Sequence, residues 1–265
     1  MNSSKSIRPL VSRNFSWRHV ILLILIFGSL LWLLSLPPIA QNTEYHLFAD
    51  TRNIIGIPNG FNVVSNLPFL TIGILGLRFC MQKDAGAVRH AWTVFFAGVG
   101  LVSVGSAYYH LNPTNDSLAW DRLLMTIGFM GLFVALLGEY IDNRLATLSL
   151  APAVIIGLAS VMYWHWTDDL RPYLWVQLVP LLTIPAVITL FQKKYSHQWL
   201  LLAALGWYIL AKVAEFYDIP LFRMTQGFIS GHSLKHLLAA VSCYSILLML
   251  QKRKNVDRNL TSEHK

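Results

Sequence analysis

Eight apolar runs, each close to the roughly 20 residues that a helix needs to cross a hydrocarbon layer, leave this chain few ways to fold. They lie at 20–38, 59–81, 90–110, 119–140, 144–163, 172–192, 197–215 and 231–250. With 55% hydrophobic and 13% charged residues among 265, and a positive mean hydropathy, such a chain would leave too much apolar surface in water. The reading is an all-α integral membrane protein, because a lipid-embedded backbone must satisfy its own hydrogen bonds.

The net charge of +8 points to topology rather than to nucleic acid. Basic residues gather at Lys5 to Arg18, Arg78 to Arg89, Arg144, Lys193/Lys194 and Lys252 to Arg258, which are both tails and alternate connections. The opposite connections hold Glu44, Asp50, Asp116, Asp168, Asp169 and Asp218, with only Arg52, Arg171 and Arg223 as basic residues. Positive-inside asymmetry then puts both termini in the cytoplasm and the acidic connections outside. The leading run is too long for a cleaved signal peptide and has no small-residue cleavage pattern, so 20–38 reads as a retained helix closed by Leu36-Pro37-Pro38. Around it the expected organisation is a basic tail over 1–19, an outer loop over 39–58, a main helical unit over 59–250 and a basic tail over 251–265. The extra leading helix and the lack of a long soluble domain point toward a bacterial inner membrane. Cys80 and Cys243 define neither a disulfide framework nor a thiolate metal site.

In such a chain the informative residues are polar groups inside spans. They include Asn59, Asn62, Ser65 and Asn66 in the second run, Ser106 and His110 in the third, and Asp121 and Arg122 in the fourth. Lys212 and Glu215 follow in the seventh, and His232, Ser233, Lys235 and His236 in the eighth. The predicted topology brings His110, Asp121, His232 and His236 to one depth, the outer end of the bundle.

His232 and His236 stand four apart, on one helix face, so both imidazoles can reach one ion. A third imidazole from His110 completes a three-ligand zinc site whose fourth position is left to water, the composition of a catalytic centre. Zinc brings the pKa of bound water to about 7. Asp121 would exchange the proton, and Ser106, one turn deeper than His110, would hydrogen-bond a developing oxyanion or the water. Simpler readings stand beside these. An HxxxH pair also suits interfacial, hydrogen-bonded histidines; Asp121 also suits a helix cap or a partner for Arg122. Ser106 lies in a small-residue stretch that close packing would explain. Lys212 and Glu215 read as a mutual salt bridge, and Trp120, Trp164, Tyr173 and Trp175 as an interfacial belt.

The runs "NVVSN" at 62–66, "GSAYYH" at 105–110 with Asp121 eleven residues on, and "GHSLKH" at 231–236 together resemble the alkaline ceramidase family, part of a wider group of seven-helix membrane hydrolases that includes the adiponectin receptors. The resemblance covers about 50–260. It implies a seven-transmembrane-helix bundle, to which 20–38 adds one N-terminal transmembrane helix. It also implies a zinc ion on His110, His232 and His236 with Ser106 and Asp121 beside it, and hydrolysis of ceramide to a sphingoid base and a fatty acid. Eukaryotic members carry a calcium site ahead of the first core helix. Here Asp50, Asn59 and Glu44 stand at that place, a poor set of oxygen ligands for calcium, and Arg52 is placed to pair with Asp50 or with a lipid headgroup. Two other functions fit parts of the pattern: a receptor-like lipid-binding protein with a structural zinc, and a transporter relaying protons or metal. The second expects polar residues at both ends of the bundle, whereas the inner halves of the third, fourth and eighth runs look nearly free of them.

Overall fold

The computed structural model describes residues 15–82, 86–192 and 195–255. Most of both basic tails, together with Lys193 and Lys194, lies outside the described residues. The helices are α1 (Trp17–Ser35), α2 (Gly60–Val64), α3 (Leu67–Met81), α4 (Arg89–Leu111), α5 (Asn115–Tyr140), α6 (Asn143–Thr167), α7 (Arg171–Leu190), α8 (Trp199–Phe216), α9 (Asp218–Met224) and α10 (Gly231–Lys252). Taking α2 and α3 as one kinked segment, eight helices among the described residues are long and apolar enough to cross a membrane. These are the proportions of a multi-pass membrane protein.

Neighbours in the bundle run α3, α4, α5, α6, α7, α8 and α10, with α10 packing back on α3, while α7 and α8 touch only sparsely. Helix α1 packs chiefly on α7, through Leu22 and Ile26 against Val179 and Ala186. The Trp175 indole also donates to the Ile26 carbonyl at 3.0 Å. A clasp fixes the end of α1. The Arg171 guanidinium donates to the carbonyls of Leu34 and Leu36 at 3.0 and 2.5 Å and pairs with Asp169 at 2.7 Å. That hydrogen bond holds the Asp169 carboxyl below the usual carboxylate range.

Small residues bring the axes together where the site will sit. A Cβ on Gly98 would collide with the Gly128 backbone, so α4 and α5 meet at near-backbone distance. A Cβ on Gly231 would strike the Ala214 carbonyl and Asp218, so the start of α10 is seated against the α8–α9 corner.

Helix ends shift by up to four residues from the sequence expectation, as in α1 and α6, and three departures change the architecture. The run expected as one helix over 59–81 is broken, because Pro68 has no N–H and its ring clashes with the carbonyl four residues back, at Val64, where α2 ends. Helix α5 begins at Asn115 rather than 119, capped by Thr114 in a reciprocal box with Ser117. The connection expected over 216–230 contains α9.

Candidate metal centre

The break after α2 leaves polar groups without a helical ladder, and they turn inward. The Asn62 carbonyl accepts from the Asn66 amide at 2.7 Å and from the Ser65 hydroxyl at 3.1 Å. Having donated its proton there, Ser65 presents a lone pair to His236 Nδ1 at 2.8 Å. His236 is thereby held with Nδ1–H outward and the Nε2 lone pair inward, the way an outer hydrogen bond orients a metal-binding imidazole. The Asn62 side chain also accepts from Ser233 at 2.8 Å, tying α2 to the first turn of α10.

Helix α10 starts under Ser230, whose hydroxyl accepts from the Ser233 N–H at 3.0 Å. Asp218 adds a carboxylate at the same helix N-terminus: Oδ1 accepts from the His232 N–H at 2.7 Å while Oδ2 accepts from Ala49 at 2.9 Å. Segment 39–58 is thus fastened to α10. From it, Phe48 packs its ring on His110 and His232, with centroids 4.8 and 4.6 Å away. The Asn59 amide donates to the His110 carbonyl at 2.8 Å, fixing the last turn of α4.

The result is three buried imidazoles, His110, His232 and His236, each offering a ligand atom within 4.8 Å of the others. Among the described residues this is the one group of three or more His, Cys, Asp or Glu so arranged. His110 Nε2 and His236 Nε2 are 3.3 Å apart. A tetrahedral ion with bonds of about 2.0–2.1 Å has ligand separations of about 3.3–3.4 Å, so this pair fits a zinc-like ion. His110 Nδ1 is buried without a partner. His232 Nε2 lies 3.0 Å from the Lys235 ammonium, which also reaches Glu215 at 2.9 Å. One imidazole lone pair cannot serve both a cation and an N–H donor, so an ion taking Nε2 would leave Lys235 to Glu215 alone.

His236, Ser106 and Asp121 face one cavity of about 310 Å³. Asp121 neither caps α5 nor pairs with Arg122; its Oδ1 is buried without a partner. Ser106 is buried, and Gly105 beside it packs on the Asp121 backbone, so the small-residue stretch serves packing and site together. Sharing Phe69, Val102, Met125, Tyr208 and Ala239 with this chamber, an apolar cavity of about 110 Å³ continues between α4, α5, α7, α8 and α10 as far as Leu132 and Ile246. Asp121 to Leu132 along α5 is about 16 Å. A third, lateral hollow between α7 and α8 shares Leu181 and Tyr208 with the apolar cavity.

Several sequence expectations change here. Lys212 does pair with Glu215, but Lys235 and the Tyr45 hydroxyl, at 2.8 Å, join the same carboxylate. Burial and the Glu215 charge push the Tyr45 phenol well above its ordinary range, so it remains a donor. The residues weighed for calcium have other surroundings: Asp50 is clasped by Arg52 at 2.6 and 2.8 Å, the Asn59 amide nitrogen donates to the His110 carbonyl, and Glu44 is exposed. Trp164 and Tyr173, expected in an interfacial belt, are buried at 1% and 4% exposure against Arg122, whereas Trp120 is exposed. Sequence reading passed over Asp218. Its signal was an acid at the turn before a histidine-bearing helix, which gains meaning only once the α8–α9 corner folds back.

Neither a scan against protein-family models nor a search of curated proteins finds a match to this chain.

Proposed function

We propose that this chain is a zinc-dependent membrane amidase acting on an N-acyl lipid of the ceramide class, the activity implied by the sequence resemblance. In this reading seven helical segments from Gly60 to Lys252 form the hydrolase bundle and α1 is the additional transmembrane helix. The site would face the non-cytoplasmic side, as the distribution of Lys and Arg implies, and the extra leading helix points to a bacterial inner membrane. The observation that carries the proposal is a cluster of three buried imidazoles, one of which, His236, lines a chamber that also holds an unpartnered carboxylate.

His110, His232 and His236 would hold the ion. Zinc in a three-histidine site supplies Lewis acidity and a water acidic enough to act as a nucleophile near neutral pH. Asp121 accepts a proton from the attacking water and returns it to the amide nitrogen as the C–N bond breaks. The water oxygen finishes in the fatty acid and its hydrogen on the amine. Ser106 donates to the carbonyl oxygen as negative charge develops there. The apolar cavity along α5 takes the acyl chain, and the sparse α7–α8 contact offers lipids a lateral route.

The test is metal content of the purified protein beside release of fatty acid from N-acyl lipids. About one zinc per chain is expected in the wild type, with metal and turnover both lost in a folded His232→Ala/His236→Ala variant. A wild type that takes up no zinc even when incubated with it would overturn the proposal.

A further inference from the structure

Arg122 is the anomaly of the chamber. It stands near the start of α5, is 6% exposed, and lines the cavity with Asp121, Ser106 and His236. Its Nη2 donates to Gln41 Oε1 at 2.6 Å. Trp164 and Tyr173 hold the guanidinium with ring centroids 4.1 and 4.8 Å away. These contacts fix the group without neutralising it. Among the described residues no carboxylate forms an ion pair with Arg122, and Nη1 is buried with no partner at all.

Neighbouring cations are treated differently. Lys212 and Lys235 share Glu215, Arg171 has Asp169, and Arg52 has Asp50. Asp121, the one carboxylate close in sequence, leaves its own Oδ1 unpartnered rather than turning it to Arg122. A buried charge left uncompensated is costly, and aromatic faces offset only part of that cost. A planar guanidinium held rigid in a residue that lines the cavity, with Nη1 left unpartnered, matches the oxygens of a carboxylate or phosphate.

We infer that Arg122 is the receptor for an anionic oxygen group, carboxylate or phosphate, at the polar end of an amphiphile whose chain enters the apolar cavity. The inference rests on reading the chamber as the substrate site, and it narrows the substrate class. The N-acyl lipid would carry an acid on its amine portion, near the amide to be cleaved. The chamber's charges agree: Arg122, Lys212 and Lys235 face only Glu215 and Asp121.

Binding to the purified full chain in an uncharged detergent, measured by titration calorimetry, tests this through affinity, with released fatty acid assayed in parallel. The probes are N-oleoylglycine, hexadecyl phosphate, the neutral N-oleoylethanolamine, and acetate and inorganic phosphate without a chain. In the wild type, at least one of the two acidic amphiphiles should bind roughly 10- to 100-fold tighter than the neutral amide, and the tighter of the two identifies the group. Arg122→Gln should bring acidic and neutral lipids to within about 2-fold, and Arg122→Lys should retain part of the preference. Equal binding of acidic and neutral lipids by the wild type would overturn the inference, even if no variant folds. So would a preference undiminished in an Arg122→Gln protein whose melting temperature is unchanged. Chainless ions binding as tightly as the lipids would also overturn it, since the site would then be one for free anions. Charge preference without zinc or hydrolysis would sink the amidase proposal and leave Arg122 standing; zinc and hydrolysis without charge preference would do the reverse.

Discussion

The two ends of the bundle treat buried polarity in opposite ways. At the far end of α5, about 27 Å from Asp121 along the helix, Glu139 is buried but accepts from the Trp92 indole at 2.9 Å and pairs with Arg253. Tyr140 beside it reaches Gln198 at 3.4 Å. At the site end stand all five buried side-chain atoms that, among the described residues, lack a partner: Asn66 Oδ1, His110 Nδ1, Asp121 Oδ1, Arg122 Nη1 and Trp164 Nε1. Native interiors satisfy nearly all such groups. An end that pairs its polar atoms is holding the fold; one that leaves five unpaired, three of them on residues lining a cavity, has the character of a functional site. The contrast also bears on transport. Glu139 supplies the polar residue at the other end that sequence reading did not find, but it is closed into a pair.

The comparison can be broken by substitution. Asp121→Asn should leave zinc content unchanged and lower the rate of lipid-amide cleavage by roughly 10²- to 10⁴-fold, the usual worth of a positioned acid–base group. A fully active Asp121→Asn protein would remove Asp121 from the chemistry. Glu139→Gln should do the opposite: it removes one charge from the buried Glu139–Arg253 pair, costing about 3–5 kcal/mol of stability, read as a lower unfolding midpoint with zinc content intact. Parallel loss of zinc would show that the two ends are coupled, and the contrast would fail. The smallest effect is expected for Ser65→Ala, which removes the acceptor at His236 Nδ1 and should weaken metal affinity about 10- to 100-fold. A competitive chelator titration would detect it, and unchanged affinity would show that the kink between α2 and α3 does not orient the ligand.

Much of this was legible in the chain, for identifiable reasons. Span length and the alternation of basic and acidic connections are local properties, so eight helices could be read by counting. The i, i+4 spacing of His232 and His236 is likewise local, and alternating helix direction brings His110 to their depth. Trp164 and Tyr173 were misread because aromatic residues at helix ends serve belts and clamps alike; only their burial against Arg122 separates the two. The oxygen set read from the sequence as poor for calcium has other partners: both Asp50 oxygens take the Arg52 guanidinium, and the Asn59 amide nitrogen donates to the His110 carbonyl.

By itself, then, the sequence determined an all-helical chain with spans of membrane length and a histidine pair on one helix face, because these follow from periodicity and composition along a single segment. The tertiary structure alone decided which polar groups have partners. That Ser65 turns His236 inward, that Asp218 seats α10, and that Arg122 has aromatic rings and no counter-charge all depend on contacts between residues 14 to 171 positions apart. Hydrogen bonds and ion pairs act over a few ångströms, and proximity on that scale is set by packing, not by position along the chain.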